Sequence, residues 1–280
     1  MKLYTINTGY FKLDGGAMFG VVPKSLWQRT NPADENNLCT WAMRSLLIEQ
    51  ESKIILIDTG IGDKQSENFF KHYYLHGDDT LQKSINSLGF SSDQITDVIL
   101  THLHFDHCGG SVTHNKEKNK YELAFKNANF WTSKKHWEWA TNPNSREKAS
   151  FLKENILPIK ESGRLKLIEN EGELFENISV FFVSGHTESQ TIPVINYNGK
   201  KIVFMADLLP SVGHIPLAYV MGYDTRPLIT LEEKRQFLHE AANKNYILFL
   251  QHDPNYECCT VKQTEKGVRL NQKFNLSDIL

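Results

Sequence analysis

The 280-residue chain carries 40% hydrophobic and 23% charged residues and a formal net charge of -2, the make-up of an ordinary globular protein. A nearly balanced charge gives no pull toward nucleic acid or an anionic membrane, so neither is an expected partner. The first twenty residues hold no apolar signal core, no run of about 18 apolar residues occurs, and Cys39, Cys108, Cys258 and Cys259 lack CxxC spacing; a single 1–280 domain, cytoplasmic and with reduced thiols, is expected.

In chain order, the stretch Pro23–Trp41 (PKSLWQRTNPADENNLCTW) reads as a long irregular segment, with Trp27 and Trp41 favouring an ordered flap. KIILIDTG (Lys53–Gly60) reads as a buried strand ending in a polar turn. SENFFKHYYL and TLQKSINSLGF have helical spacing, the second closing at Gly89. ITDVILTHLH opens with a strand from Ile95 to about Thr101, NANFWTS is another, and KKHWEWA is a helix. ISVFFVSGH is a strand ending at a histidine, and VINYNGKKIVFMAD is a hairpin turning at Asn198-Gly199. TLEEKRQFLHEAANK is an amphipathic helix with Thr230 as the expected cap, and YILFLQHD is the last clear strand.

Four apolar strands thus run into ligand-type residues: His102 and its neighbours, His186, Asp207 and His252. Strand ends can gather at one rim of a sheet, where rigid elements fix side-chain positions. In HLHFDH, His102 and His104 are two apart, so an extended chain points both to one side. Asp106 and His107 follow where the chain turns, so one segment can serve two neighbouring divalent metals through imidazole nitrogen and carboxylate oxygen. A lone HxH is compatible with a chance polar loop; HxHxDH after an apolar strand, with three further strand-end ligands, is not.

HLHFDH followed by Gly109-Gly110, with IDTG before it and SGHT, MADL and LQHD after it, resembles the metallo-β-lactamase superfamily over nearly the whole chain. The resemblance implies an α/β fold, an αββα sandwich of two mixed β-sheets flanked by helices, with a dinuclear site at one edge. It assigns His102, His104 and His186 to one metal, Asp106, His107 and His252 to the other, and Asp207 to both. Asp58 corresponds to an aspartate that supports the ligands without binding metal. Zinc is the expected metal, and the same residue types admit manganese or iron.

GGAMFGVVPKSLWQRTNPADENN, MADLLPSVGH and YVMGYDTRP further resemble the branch containing quorum-quenching lactonases and methyl-parathion-hydrolase-like enzymes. The acyl-homoserine lactonases of that branch place a tyrosine three residues after the shared aspartate, where this chain has Pro210; Tyr223 or Tyr219 would have to fill that role. The expected reaction is attack of a hydroxide, made available by two metals, on a small ester-like substrate, first a lactone of the N-acyl homoserine type. Aryl esters, phosphotriesters and glyoxalase II-like thiolesters are the alternatives. Asp106 is expected to orient the nucleophile and to pass a proton to the leaving group. Met18, Phe19, Trp27, His214 and Tyr223 are candidates for the pocket of a small-molecule substrate. An exposed Trp27 would also make the Met18–Trp41 flap a homodimer contact. His72, His76, His114, His136 and His239 read as surface or packing residues, and Cys108 as a small buried one.

Overall fold

The computed structural model describes residues 1–279. In chain order its elements are β1 (Lys2–Asp14), α1 (Gly15–Phe19), α2 (Lys24–Trp27), β2 (Leu38–Gln50), β3 (Lys53–Ile57), α3 (Glu67–Phe70), α4 (Leu81–Ser87), β4 (Asp97–Ile99) and α5 (Phe105–Cys108). They continue with β5 (Val112–Asn115), β6 (Lys120–Leu123), β7 (Asn129–Ser133), α6 (Lys134–Thr141), α7 (Lys153–Glu161), β8 (Leu165–Ile168), β9 (Gly172–Phe175), β10 (Ile178–Val183), β11 (Gln190–Tyr197) and β12 (Lys200–Phe204). Then come α8 (Pro227–Lys244), β13 (Ile247–Phe249), β14 (Cys258–Thr264) and β15 (Gly267–Phe274).

The chain divides into two compact units, Met1–Gly9 with Met43–Asn170, and Tyr10–Ala42 with Glu171–Leu280. The first is built on the sheet β1-β2-β3-β4-β7-β8, in which β3, β4, β7 and β8 run parallel. The inner strands β3 and β4 are short and mostly buried, as strands covered on both faces are. Ile6, Leu47, Leu56, Val98 and Phe130 are all under 1% exposed and share one core. Helix α6 starts at Ser133, whose hydroxyl accepts the His136 N–H.

The second unit is built on the sheet β15-β14-β13-β12-β11-β10-β9. β11 is antiparallel to both β10 and β12, and β12 is parallel to β13. So β10, β12 and β13 point the same way and end at one edge. Asn198 and Gly199, with φ of 48° and 76°, make the β11–β12 turn left-handed at both central positions, as a type I′ hairpin requires. Helix α8 begins three residues before the expected cap: Pro227 takes its first turn, and Thr230 lies inside it. Phe237, Leu238 and Ala241 form its buried stripe, and Asn245 ends it in a left-handed conformation, its N–H returning to the Ala241 carbonyl.

Other expectations are corrected in detail. Pro23–Trp41 is not irregular throughout; it contains α2 and the start of β2. SENFFKHYYL forms only the single turn α3, and β4 begins at Asp97, two residues after Ile95. All four cysteines are buried and no disulfide links them. Among the described residues no helix is long and apolar enough to cross a membrane.

A Cβ at Gly185 would lie 2.3 Å from the Thr230 backbone nitrogen, so only glycine lets the Ser184–His186 turn pass against α8. Gly185→Ala is expected to lower the unfolding free energy in urea by about 1–3 kcal/mol, the cost of overpacking a fixed backbone contact; an unchanged midpoint contradicts this packing.

Candidate metal centre

The four strands that were expected to end in ligand-type residues stop short of them by a constant step. The last strand residues are Ile99, Val183, Phe204 and Phe249, and His102, His186, Asp207 and His252 each lie three positions on. Each side chain therefore sits on the first loop turn beyond a strand, where backbone direction is still set by the sheet.

In the first unit the anchor is Asp58, wholly buried and directly after β3. Its backbone is left-handed, φ 56°, which aspartate tolerates better than most residues. Oδ1 accepts the Thr101 N–H at 2.8 Å and Oδ2 accepts the Thr101 hydroxyl at 2.7 Å. Oδ2 also lies 3.0 Å from His107 Nδ1. A carboxylate only accepts, so His107 carries its proton on Nδ1 and turns the lone pair of Nε2 outward. Thr101 spends its one hydroxyl proton on Asp58, so its oxygen, 3.1 Å from His102 Nδ1, accepts there and fixes His102 in the same tautomer.

His104 is extended (φ -64°, ψ 151°) and α5 begins at the next residue. The rings of His102 and His104 lie 4.5 Å apart and those of His102 and His107 3.8 Å apart. Asp106, on the first turn of α5, places Oδ2 3.7 Å from His107 Nε2 and keeps 13% of its side chain exposed. The glycines after the motif are steric necessities: a Cβ at Gly109 would meet the Ile61 carbonyl oxygen at 2.1 Å, and one at Gly110 that of Thr59 at 2.2 Å.

In the second unit Asp207 forks between two imidazoles. Oδ2 lies 3.0 Å from His186 Nε2 and Oδ1 lies 3.1 Å from His252 Nε2. The far nitrogens are held as in the first unit: His186 Nδ1 lies 2.9 Å from Asp224 Oδ1, and His252 Nδ1 lies 2.7 Å from the Ala42 carbonyl. Ala206, just before the fork, is left-handed at φ 43° without being glycine, a strained conformation of the kind that clusters at functional sites. Burial alone would lower the pKa of His186, but Asp207 and Asp224 outweigh it and push it up to about 10. The same two carboxylates that draw a proton to this ring would draw a divalent cation.

The donor set fits a divalent metal. It is nitrogen and carboxylate oxygen without thiolate, which suits zinc and its neighbours. The outward Nε2 of His102, His107, His186 and His252 each follow from an oxygen at Nδ1, the arrangement by which proteins orient metal-binding histidines. Asp224 was missed in the sequence because nothing in GYDTRP marks its aspartate as an imidazole partner. Glu147, with Oε1 3.5 Å from His104 Nε2, was missed for the same reason.

The metallo-β-lactamase superfamily model matches residues 44–252. The chain belongs to the metallo-β-lactamase superfamily. Among relatives of this superfamily, an N-acyl homoserine lactonase of Bacillus cereus is 26% identical over 214 residues, covering 73% of this chain and 74% of the relative. The solved structure of a probable metal-dependent hydrolase from Staphylococcus aureus matches with a TM-score of 0.88 at 29% identity, over 98% of this chain and 96% of that one. AidC, described as a dizinc quorum-quenching lactonase in complex with a product, matches with a TM-score of 0.77 at 24% identity, over 98% and 95% of the two chains; at that identity the likeness is one of fold. The protein is accordingly a metal-dependent hydrolase of the metallo-β-lactamase fold.

The proposed pocket residues are mostly tied up by one another. Trp27, Phe19 and His214 form a parallel stack, with ring centroids 5.3 Å and 4.4 Å apart, and none is more than 1% exposed. Trp27 is therefore not exposed, which removes the ground on which the flap was expected to make a homodimer contact. Met18 is also buried, its carbonyl 2.9 Å from His214 Nε2, while Ser211 Oγ lies 2.9 Å from His214 Nδ1. Tyr223 keeps 42% of its surface exposed. His136 is fully buried and accepts the Leu103 N–H, so it packs against the ligand segment from behind.

Burial pushes the pKa of His214 down from 6.5 to about 3. Between those values the unfolded chain binds a proton that the fold does not, so stability falls as pH drops through that window. The urea midpoint of wild type is expected to fall more steeply than that of His214→Gln between pH 6.5 and pH 3; parallel profiles would contradict a neutral, buried His214.

Proposed function

We propose that the two units form one hydrolase domain holding two divalent metals and opening a lactone, with N-acyl homoserine lactones as the first class. The observation that carries this reading is that two donor sets could each hold a metal ion: His102, His104, His186 and Asp207, and Asp106, His107 and His252. In the proposed arrangement His102, His104 and His186 would hold one zinc, Asp106, His107 and His252 would hold the other, and Asp207 would be available to either. The names of the Bacillus relatives and of AidC support both the metal and the substrate class.

A bound metal pair supplies Lewis acidity and water of lowered pKa. Asp106, largely buried beside His107, takes a proton from the attacking water and returns it to the ring oxygen as the ester C–O bond breaks, leaving a carboxylate and an alcohol. Phe69, Tyr73 and Phe105 pack with ring centroids 4.7–5.3 Å apart, and Phe105 adjoins Asp106 in the chain. This partly exposed aromatic wall suits an apolar tail. Burial and the neighbouring Asp106 push the Tyr73 phenol up to about 12, so it stays neutral.

Pro210 takes the place where the resembled lactonases have tyrosine, and its carbonyl accepts the His252 N–H at 3.2 Å. Tyr219 packs edge-on against Phe19 at 6.2 Å, and the more exposed Tyr223 is the phenol proposed to meet substrate. A site without the nearby tyrosine also suits aryl esters and phosphotriesters, which gives the second reading. The test is a panel of N-acyl homoserine lactones, aryl esters, phosphotriesters and thiolesters with zinc-loaded protein. Lactones are expected to have the highest kcat/KM, rising with acyl length; turnover of none of the four classes overturns the proposal. Asp106→Asn is expected to lower kcat by roughly 10²-fold or more, with metal content measured on the same sample.

A further inference from the structure

The buried face of α8 contains a lysine. Thr230, Lys234, Phe237, Leu238 and Ala241 line that face, and Lys234 is only 1% exposed. Lysine is almost never so buried unless paired, and a hydrocarbon side chain at this position would spare the fold the desolvation of a charge. Its Nζ donates to the carbonyls of Tyr219 at 2.7 Å, His214 at 2.9 Å and Pro216 at 3.2 Å. An ammonium has three protons, so its donors are matched one to one by main-chain oxygens of a single loop.

The rest of that loop is held by its own bonds within the second unit. The Val212 N–H donates to Asp253 Oδ2 at 2.9 Å, and the Tyr219 N–H returns to the Pro216 carbonyl at 2.9 Å. The Gly222 N–H donates to the Ala17 carbonyl at 2.8 Å. A Cβ at Gly20 would lie 2.9 Å from the Val220 carbonyl oxygen, so loop and flap meet backbone to backbone. Beyond Gly222, Asp224 Oδ1 lies 2.9 Å from His186 Nδ1, and the Thr225 N–H donates to the His186 carbonyl at 3.1 Å. Tyr223 therefore leaves the chain between two fixed ends and still keeps 42% of its surface exposed.

We propose that Lys234 is a positioning residue for substrate binding, which gathers the His214, Pro216 and Tyr219 carbonyls at one point and so fixes the loop that presents Tyr223. The proposal rests on the reading above in which Tyr223 meets the lactone. Without the ammonium, three carbonyls lose a buried donor, and the loop must rearrange to satisfy them. Lys234 bonds to none of the proposed metal ligands, so its removal is expected to move Tyr223 and to leave zinc content at the wild-type level.

The test is a double-mutant cycle on zinc-loaded full-length protein with N-decanoyl homoserine lactone. Burial draws the pKa of Lys234 down to about 7 against the pull of Asp224, so the cycle is run below that pH, where the ammonium keeps its third proton. Lys234→Met is expected to raise KM roughly tenfold, the scale of one buried polar group left unpaired, with a smaller change in kcat. In the Tyr223→Phe background the same substitution is expected to change KM by less than about twofold, because coupled residues are not additive. If Tyr223→Phe impairs binding and the two effects multiply, Lys234 does not act through Tyr223 and the proposal is overturned. Loss of zinc in Lys234→Met overturns it as well. If Tyr223→Phe leaves KM unchanged, the substrate role of Tyr223 fails and the proposal falls with it. If Lys234→Met does not fold, Lys234→Gln, which keeps two donors, takes its place with the same outcomes. If wild type opens no lactone, the substrate reading fails by itself. Amide hydrogen exchange of residues 215–223, read by mass spectrometry, then decides the role of Lys234: faster exchange in Lys234→Met supports it, and unchanged exchange overturns it.

Discussion

A buried imidazole held at one nitrogen by an oxygen of the chain is the interaction on which the site depends. Such a ring cannot turn and cannot exchange its proton between nitrogens without losing a buried hydrogen bond, which costs about 1–3 kcal/mol when a polar group is left unsatisfied. Asp58, Thr101, Asp224 and the Ala42 carbonyl each provide that oxygen. Asp58 does so twice over, since it also fixes Thr101, which in turn sets His102. The left-handed backbone at Asp58 is the local strain that lets one carboxylate meet both the next strand end and His107.

The sheets supply what the oxygens then refine. β10, β12 and β13 run in one direction, so the loops carrying His186, Asp207 and His252 leave the same edge, each three residues after its strand. In the first unit β3 and β4 are parallel and end with Ile57 and Ile99 as partners, which brings Asp58 beside Thr101. Gly109 and Gly110 then carry the chain away through gaps too narrow for any side chain. Precision at the site thus comes from backbone direction first and from hydrogen bonds second.

Much of this was legible in the sequence, for identifiable reasons. HLHFDH, His186, Asp207 and His252 stand out because each follows an apolar strand, and strands announce themselves by composition. Asp224 and Glu147 lie in loops, where a single acidic residue has no periodicity to mark it; only the fold shows that one meets His186 and the other His104. Trp27 looked exposed because polar residues surround it in the chain. Its ring is instead the end of the stack on Phe19 and His214, which only the contact of Phe19 with the far-distant His214 brings together. Thr230 resembled a cap because a good capping residue followed by Glu is a local signal, but Pro227 had already started the helix.

The central claim is that these oriented side chains hold two metals. Elemental analysis of the full chain, loaded with zinc and freed of excess, measures it most directly. The account predicts two equivalents per chain in wild type and a clear loss in His102→Ala and in Asp207→Ala. No bound zinc in wild type, or an unchanged content in both variants, would contradict it.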